Sequence, residues 1–402
     1  MEHVSMVDDA GWCWFQDPRA IRHVGAHDRT YFGWISRFGD VTVGRYDHES
    51  GRFERSVIHE QFEPDDHDVP TLTVRPDGRI IVFYTAHNGP AVHYRIATSA
   101  ESIASFGPRR SLEPGPETNV TYPDPRWIDD DLHLFLRNRG SIVNLVSHDD
   151  GETWSEEREL VSTGGTGLCV YSKISREHEG EVNFGMTHAI GGWNEPHRHV
   201  THARFDGDAL RTTDGDLLGH ASEESLPVPI HETTTIYDSD EAGTDAWVWD
   251  SSIADGVPQV AYAQLVADED HRYRYARWDG DRWQDTLVCH GGTYIVHEDS
   301  RERYYSGGIA LDHDVAGVCY ASVGSHRRSA ITRHVYGDGG WASSVIVDDA
   351  EQNVRPVVPW NRADTMPVTW LRGSYRAAGV TGSTDKGAAY HTRLTAAFDD
   401  RG

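Results

Sequence analysis

The chain alternates short apolar runs with turn clusters, and no apolar stripe of helical period runs long enough to build a domain. Ile80-Ile81-Val82-Phe83-Tyr84 and Leu132-His133-Leu134-Phe135-Leu136 represent the runs, and Arg75-Pro76-Asp77-Gly78 and Asp149-Asp150-Gly151 the turns. Such runs, rich in β-branched and aromatic residues and bounded by Gly, Pro and Asp, predict strands. The pattern is that of an all-β protein and excludes an alternation of strands with helices.

The same grammar returns about every fifty residues, a spacing near the blade period of Kelch-type propellers. An opening aromatic or polar segment leads into an apolar strand, a Gly/Asp turn, two further strands and a charged edge. Units open at Trp12, near His67, near Tyr122, at Cys169, around Trp247, at Tyr304 and at Asn353. Units of four short strands closed in a ring leave few exposed edges. The expected fold is a seven-bladed β-propeller, a single domain over residues 1–402 with no linker inside it. A β-sandwich pair or a β-helix does not explain so long a period. The octet Ser147-His148-Asp149-Asp150-Gly151-Glu152-Thr153-Trp154 fits the Asp-box pattern S-x-D-x-G-x-T-W. It reads as scaffold: Asp149 caps backbone amides, Gly151 permits the turn and Trp154 packs between sheets.

Composition adds a strong charge bias. Asp and Glu number 64 against 37 Lys and Arg, a formal charge of −27, and Lys173 and Lys386 are the only lysines. An acidic surface stripped of lysine keeps a protein hydrated in concentrated salt, so a salt-adapted (halophilic) source is expected. The balance argues against nucleic acid, whose phosphates need a basic footprint. No run reaches membrane-spanning length, so no membrane partner is expected. Cys13, Cys169, Cys289 and Cys319 lack metal-type spacing; three of them lie in apolar, strand-like runs and read as buried free thiols, with a disulfide as the alternative. Met1-Glu2-His3-Val4 opens no signal peptide; the expected location is cytoplasmic, or secreted if a leader has been removed.

In a propeller the inner strands line a central channel and neighbouring loops meet on one face, so functional residues come from equivalent points of different units. His67 precedes the inner strand of the second unit, and His87 follows its next strand. A hairpin about Asp77-Gly78 returns both to one end. In the third unit Tyr122 precedes the inner strand and Arg137 follows the next one, which places them together one unit over. Two imidazoles, a phenol and a guanidinium suit β-elimination from a uronic acid. Arg neutralises the carboxylate with a matching fork, a neutral His or a Tyr of lowered pKa takes the weakly acidic neighbouring proton, and a second donor protonates the departing oxygen. With 24 His in the chain, any single one is more often structural; it is the paired arrangement that favours function.

Trp12-Cys13-Trp14-Phe15-Gln16-Asp17-Pro18-Arg19, Asp66-His67-Asp68-Val69-Pro70, Tyr305-Ser306-Gly307-Gly308-Ile309-Ala310-Leu311-Asp312 and Asn353-Val354-Arg355-Pro356 resemble the BNR-repeat propeller family. That family includes β-propeller ulvan lyases and rhamnose–glucuronate lyases, and the likeness extends over nearly the whole chain. It implies a lyase that cuts beside glucuronate or iduronate in an acidic oligo- or polysaccharide and leaves a 4,5-unsaturated sugar. Arg137 is implied as the carboxylate neutraliser, with His67, His87 and Tyr122 sharing the roles of base and acid. It also implies a substrate-gripping Arg from the fourth unit, for which Arg198 is the candidate, with His188 and Tyr171 beside it; residues of a solvated loop are the equal alternative for this stretch. The chemistry requires no cofactor. Some relatives hold a structural calcium or zinc ion, but no tight ligand spacing assigns one here. The rival expectations are a sialidase-like glycoside hydrolase, for which no carboxylate pair stands out, and a carbohydrate-binding propeller without activity.

Overall fold

The computed structural model describes residues 1–13, 15–115, 118–190, 198–222, 225–295, 304–375 and 390–399. Trp14, His197 and Lys386 lie outside the described residues. Strands dominate; the described residues form six hydrogen-bonded sheets, and dividing the eight-stranded one at its single parallel bridge gives the seven successive groups expected from the repeat. The packing separates the chain into two compact units, neither continuous in sequence. The first takes residues 1–139, 145–157 and 357–402, and the second takes 140–144 and 158–356.

In the first unit, Ala20–Val24, Asp28–Ile35, Val41–Asp47 and Arg52–His59 form one antiparallel meander. Thr71–Val74, Ile80–Thr85, Val92–Ile96 and Arg110–Leu112 form the next. Thr121–Ile128 and Asp131–Asn138 open a third. Glu2–Val7 pairs antiparallel with Tyr390–Phe398, which pairs in turn with Thr369–Tyr375. The first strand of the chain thus belongs to the last sheet, and Trp12, where the first repeat was expected to open, lies just beyond it.

Burial explains the sequence pattern. All six residues of Ile80–Thr85 are buried, as befits a sheet covered on both faces, where apolar residues run on without alternation. The outer strand Arg52–His59 alternates and is largely open to solvent. The Asp-box octet does what its sequence implies. Ser147 Oγ donates to Asp149 Oδ1 at 2.8 Å, Thr153 N donates to the same oxygen at 2.8 Å, and Gly151 sits at φ +86°. Trp154 meets the rings of Phe83 and Tyr94 edge-on at 5.8 and 6.1 Å.

The second unit repeats the theme. Gly167–Ile174, Val182–Ile190, Val200–Phe205, Ala209–Arg211 and Leu217–His220 form one sheet. Asp245–Ala254, Val257–Ala267, Asp270–Trp278 and Trp283–Gly292 form another. Ile309–Leu311, Val318–Gly324, Ser329–Gly337 and Gly340–Val347 follow, joined to it by the parallel bridge Gly292–Gly324. All four cysteines are free thiols; Cys13, Cys169 and Cys319 are buried and Cys289 partly so. No described helix is long and apolar enough to cross a membrane.

A buried ion pair anchors the strand that carries Tyr122. Arg126 Nη1 donates to Asp124 Oδ1 at 2.8 Å and to the Asp17 carbonyl at 2.9 Å, and its guanidinium lies 4.2 Å over the Trp360 ring. Breaking such a pair leaves a carboxylate without its counter-ion in low dielectric. Arg126→Ala is therefore expected to cost about 3–5 kcal/mol, read as a lowered urea midpoint at unchanged m-value; a midpoint within error of the parent refutes it.

Candidate active site

His67 sits on a single 3-10 turn, Asp66–Asp68, immediately before the inner strand Thr71–Val74. Its capping residue is Asp65, whose carboxylate accepts from the His67 backbone N–H at 3.0 Å. An acidic N-cap satisfies the orphan donors of a first turn, and here the same carboxylate also binds the ring. Asp65 Oδ1 lies 2.6 Å from His67 Nδ1, and Asp65 Oδ2 lies 3.3 Å from His87 Nδ1. His87 follows Ile80–Thr85, and the hairpin register Thr71↔Phe83 to Val74↔Ile80 returns it to the His67 end, as the turn at Asp77-Gly78 predicts. The two imidazoles stack with centroids 3.7 Å apart and planes 2° from parallel. One carboxylate thus fixes both rings, and neither Nε2 has a protein partner among the described residues.

Tyr122 and Arg137 reach the same place by a variation on the expected route. Both lie inside their strands, Thr121–Ile128 and Asp131–Asn138, and not just outside them. Thr121 pairs with Arg137, and the register then slips between Thr121 and Asp124. Pro123, inside the slip, supplies no ladder donor, which suits it to such an irregularity. The slip leaves Tyr122 at φ +62°, a left-handed backbone that costs a bulky residue on the order of 1–3 kcal/mol and is concentrated at functional sites. It aims the Tyr122 ring at His67, 5.6 Å between centroids, and Arg137 stacks on that ring at 4.7 Å. Arg137 Nη2 donates to Asn88 Oδ1 at 3.1 Å. A two-way backbone bridge joins Gly89 to Val120 at 3.1 and 2.9 Å. The four residues expected to meet, His67, His87, Tyr122 and Arg137, do meet.

Burial and charge set the two imidazoles apart. For His67, burial opposes protonation, but the Asp65 charge and the Cys13 thiol beside it, with the hydrogen bond to Asp65 and the close Asp66 carboxyl, outweigh it and hold the ring well above the ordinary histidine value. For His87, burial lowers the value, the neighbouring His67 and Arg137 add to that, and Asp65 only partly compensates. Burial also works against ionisation of Asp65, yet the two rings keep its carboxyl far below the usual range. Asp68, wholly buried beside Asp65 and Glu63, is pushed well above that range and stays neutral. The site therefore holds one imidazolium stacked on one neutral imidazole, the divided pair that acid–base chemistry uses. His87 is 31 % exposed and His67 17 %, enough for a ligand to touch both.

Arg198, His188 and Tyr171 lie in the second unit and are buried. Arg198 is sandwiched between Trp247 at 4.5 Å and Tyr304 at 4.1 Å, and Tyr171 packs on Trp247 at 4.9 Å. Cation–π contact of this kind stabilises a guanidinium, but none of its three nitrogens has a hydrogen-bond acceptor among the described residues. His188 Nδ1 is likewise unpartnered, and burial with His199, His231 and Arg198 lowers its pKa to about 4.

Sequence reasoning passed over Asp65, the residue that joins the histidines, although a carboxylate two positions before a candidate His is itself a signal. It also passed over Asn88, whose role depends on the second unit of the repeat meeting the third. Asp65, His67 and His87 hold ligand-type atoms within 4.8 Å, as do His199, Asp238 and Asp240. In the first, both Nδ1 atoms are engaged by Asp65. In the second, His199 presents different ring nitrogens to Asp238 and Asp240, at 3.4 and 3.9 Å.

The backbone is similar to solved structures of polysaccharide lyases. An ulvan lyase of family PL25, bound to -[GlcA(1-4)Rha3S]-, aligns over 98% of this chain and 95% of its own with a TM-score of 0.73 at 16% identity. Polysaccharide lyase Uly1 aligns over 99% of both chains with a TM-score of 0.61 at 11% identity. At these identities the likeness establishes the fold, an all-β propeller. No curated protein matches the sequence. The model of the BNR repeat-containing family matches residues 29–290, well over half of the chain, and on that match this chain belongs to the BNR repeat-containing family.

Proposed function

We propose that the chain is a polysaccharide or oligosaccharide lyase that cleaves the glycosidic bond at the 4-position of a uronic acid by β-elimination. The observation that carries this reading is the stacked, carboxylate-bridged pair His67–His87 beside the Arg137 guanidinium. Arg137 neutralises the uronate carboxylate and so acidifies the hydrogen on C5. Neutral His87 removes that proton through Nε2, the electron pair forms the C4–C5 double bond, and the C4–O bond breaks. The imidazolium of His67 gives its proton to the departing oxygen. Tyr122 lies between His67 and Arg137 and shapes the pocket around C5 and the carboxylate. Base and acid stacked 3.7 Å apart suit a syn elimination, in which C5–H and C4–O lie on one side of the ring, as in glucuronate.

The similarity to ulvan lyases of the same fold supports an acidic, uronate-containing substrate. A sialidase-like hydrolase has less support, because Asp65 and Asp66 are turned toward His67 and Asp68 is buried and neutral. We propose Arg198 as a second anion-binding residue. A buried guanidinium without a counter-ion costs several kcal/mol, and a carboxylate or sulfate ester of the substrate is the partner that offsets it.

Incubation with ulvan and with rhamnose–glucuronate oligosaccharides in high salt tests the reaction through the ultraviolet absorbance of the 4,5-unsaturated product. Hydrolysis gives reducing ends without absorbance, and binding alone gives neither. His87→Ala and Arg137→Ala are each expected to lower kcat/KM by about 10²–10⁴-fold with the circular dichroism spectrum unchanged; retained turnover in both removes the assignment.

The divided histidines also set the pH profile. His87 is active when neutral and its value is lowered, so the acid limb falls below the ordinary histidine value of about 6.5. His67 is active when protonated and its value is raised, so the alkaline limb lies well above that value. A narrow bell centred near pH 6.5 contradicts the assignment. Arg198→Ala is expected to raise KM about tenfold or more with a smaller change in kcat; an unchanged KM removes Arg198 from the substrate site.

A further inference from the structure

The mechanism above leaves one buried network unused. Asp66 is wholly buried on the His67 turn. Its Oδ1 lies 3.1 Å from His67 Nδ1, a second anionic contact on the ring edge that Asp65 already occupies at 2.6 Å. Its other oxygen, Oδ2, accepts a hydrogen bond from the hydroxyl of Tyr375. Tyr375 closes the strand Thr369–Tyr375, more than 300 residues away in sequence, and is itself buried. That strand pairs with Tyr390–Phe398, so its end is fixed by the sheet that the chain termini share.

We propose that Tyr375 is a positioning residue for the candidate acid. Its hydroxyl holds the Asp66 carboxylate against the Nδ1 edge of His67, and so fixes the orientation and the charge of that ring. The physical reason is the distribution of carboxyl groups around His67. Asp65, Asp66 and Asp68 come from its own turn, and Glu63 lies just before it, bonded to the His87 backbone N–H at 3.3 Å. Buried carboxyls crowded in this way tend to take up protons, as Asp68 does. A hydroxyl donor favours the ionised form of the carboxylate that it bonds. Tyr375 thereby favours the carboxylate form of Asp66, which faces His67 on its Nδ1 edge beside Asp65. The groups facing the ring from other elements are Cys13 from the N-terminal segment, His87 stacked on one face, and Tyr122 with Arg137 behind it. Among the described residues, Asp65 and Asp66 are the carboxyl groups in contact with Nδ1.

The inference rests on the lyase reading for its catalytic meaning, but its direct test does not need turnover. The full-length protein is labelled on histidine, the His67 ring resonance is assigned by its loss in His67→Gln, and its titration is followed by NMR. Tyr375→Phe deletes one oxygen. It is expected to lower the pKa of His67 by about one unit, and Asp66→Asn to lower it by at least as much. In the lyase assay both move the alkaline limb of kcat/KM to lower pH, with KM at the plateau little changed. If His67 titrates as in the parent in either variant while the circular dichroism spectrum is preserved, the proposal is overturned. If Tyr375→Phe does not fold, Asp66→Asn alone decides it. A shifted His67 titration in a protein that yields no unsaturated product upholds the network and overturns the lyase reading instead.

Discussion

The candidate site depends on one carboxylate. Asp65 caps the turn that carries His67, binds that ring through one oxygen and binds His87 through the other. Two imidazoles held this close cannot both be protonated without strong repulsion, and one anion between them favours a single shared positive charge. Stacking, division of charge and exposure of both Nε2 atoms follow from that bridge. Without it, the histidines are two side chains from separate loops with no reason to lie parallel.

The scaffold supplies the rigidity that such an arrangement needs. Each of the four candidate residues stands at the open end of an antiparallel hairpin whose strands are largely buried, so its position is set by backbone pairing. The Gly89–Val120 bridge and the Asn88–Arg137 hydrogen bond tie the His67–His87 hairpin to the Tyr122–Arg137 hairpin. Arg126 and Asp124 lock the latter from below. Against this fixed background the strained backbone at Tyr122 is sustainable, because relieving it requires breaking the pairing on both sides.

Charge links the site to the rest of the molecule. A protein of formal charge −27 repels acidic polymers at long range, and salt screens that repulsion. On the proposed function, the attraction comes from cations that are desolvated and fixed in place, Arg137 and the His67 imidazolium. Tyr375 and Asp66 extend the same logic inward, since a buried cation on His67 lasts only as long as the anions behind it stay ionised.

The repeat of apolar runs and turns was enough to determine an all-β fold in seven groups, since strand period and turn chemistry are local properties. The hairpin at Asp77-Gly78 sufficed to bring His67 and His87 to one end, and spacing in the next unit did the same for Tyr122 and Arg137. Sequence alone also determined the Asp box. Tertiary structure decided what joins the pieces. The bridging role of Asp65 depends on two loops converging on one carboxylate, and the slip that turns Tyr122 toward His67 depends on the pairing partner of a strand with two prolines. The reach of Tyr375 to Asp66 depends on the sheet shared by the two chain termini. Arg198 illustrates the difference most directly: its sequence neighbours suggest a solvated loop, whereas the rings of Trp247 and Tyr304, distant in the chain, enclose it. Local patterns record which elements form; the contacts that tune charge are made between residues far apart in the chain, and no local pattern records them.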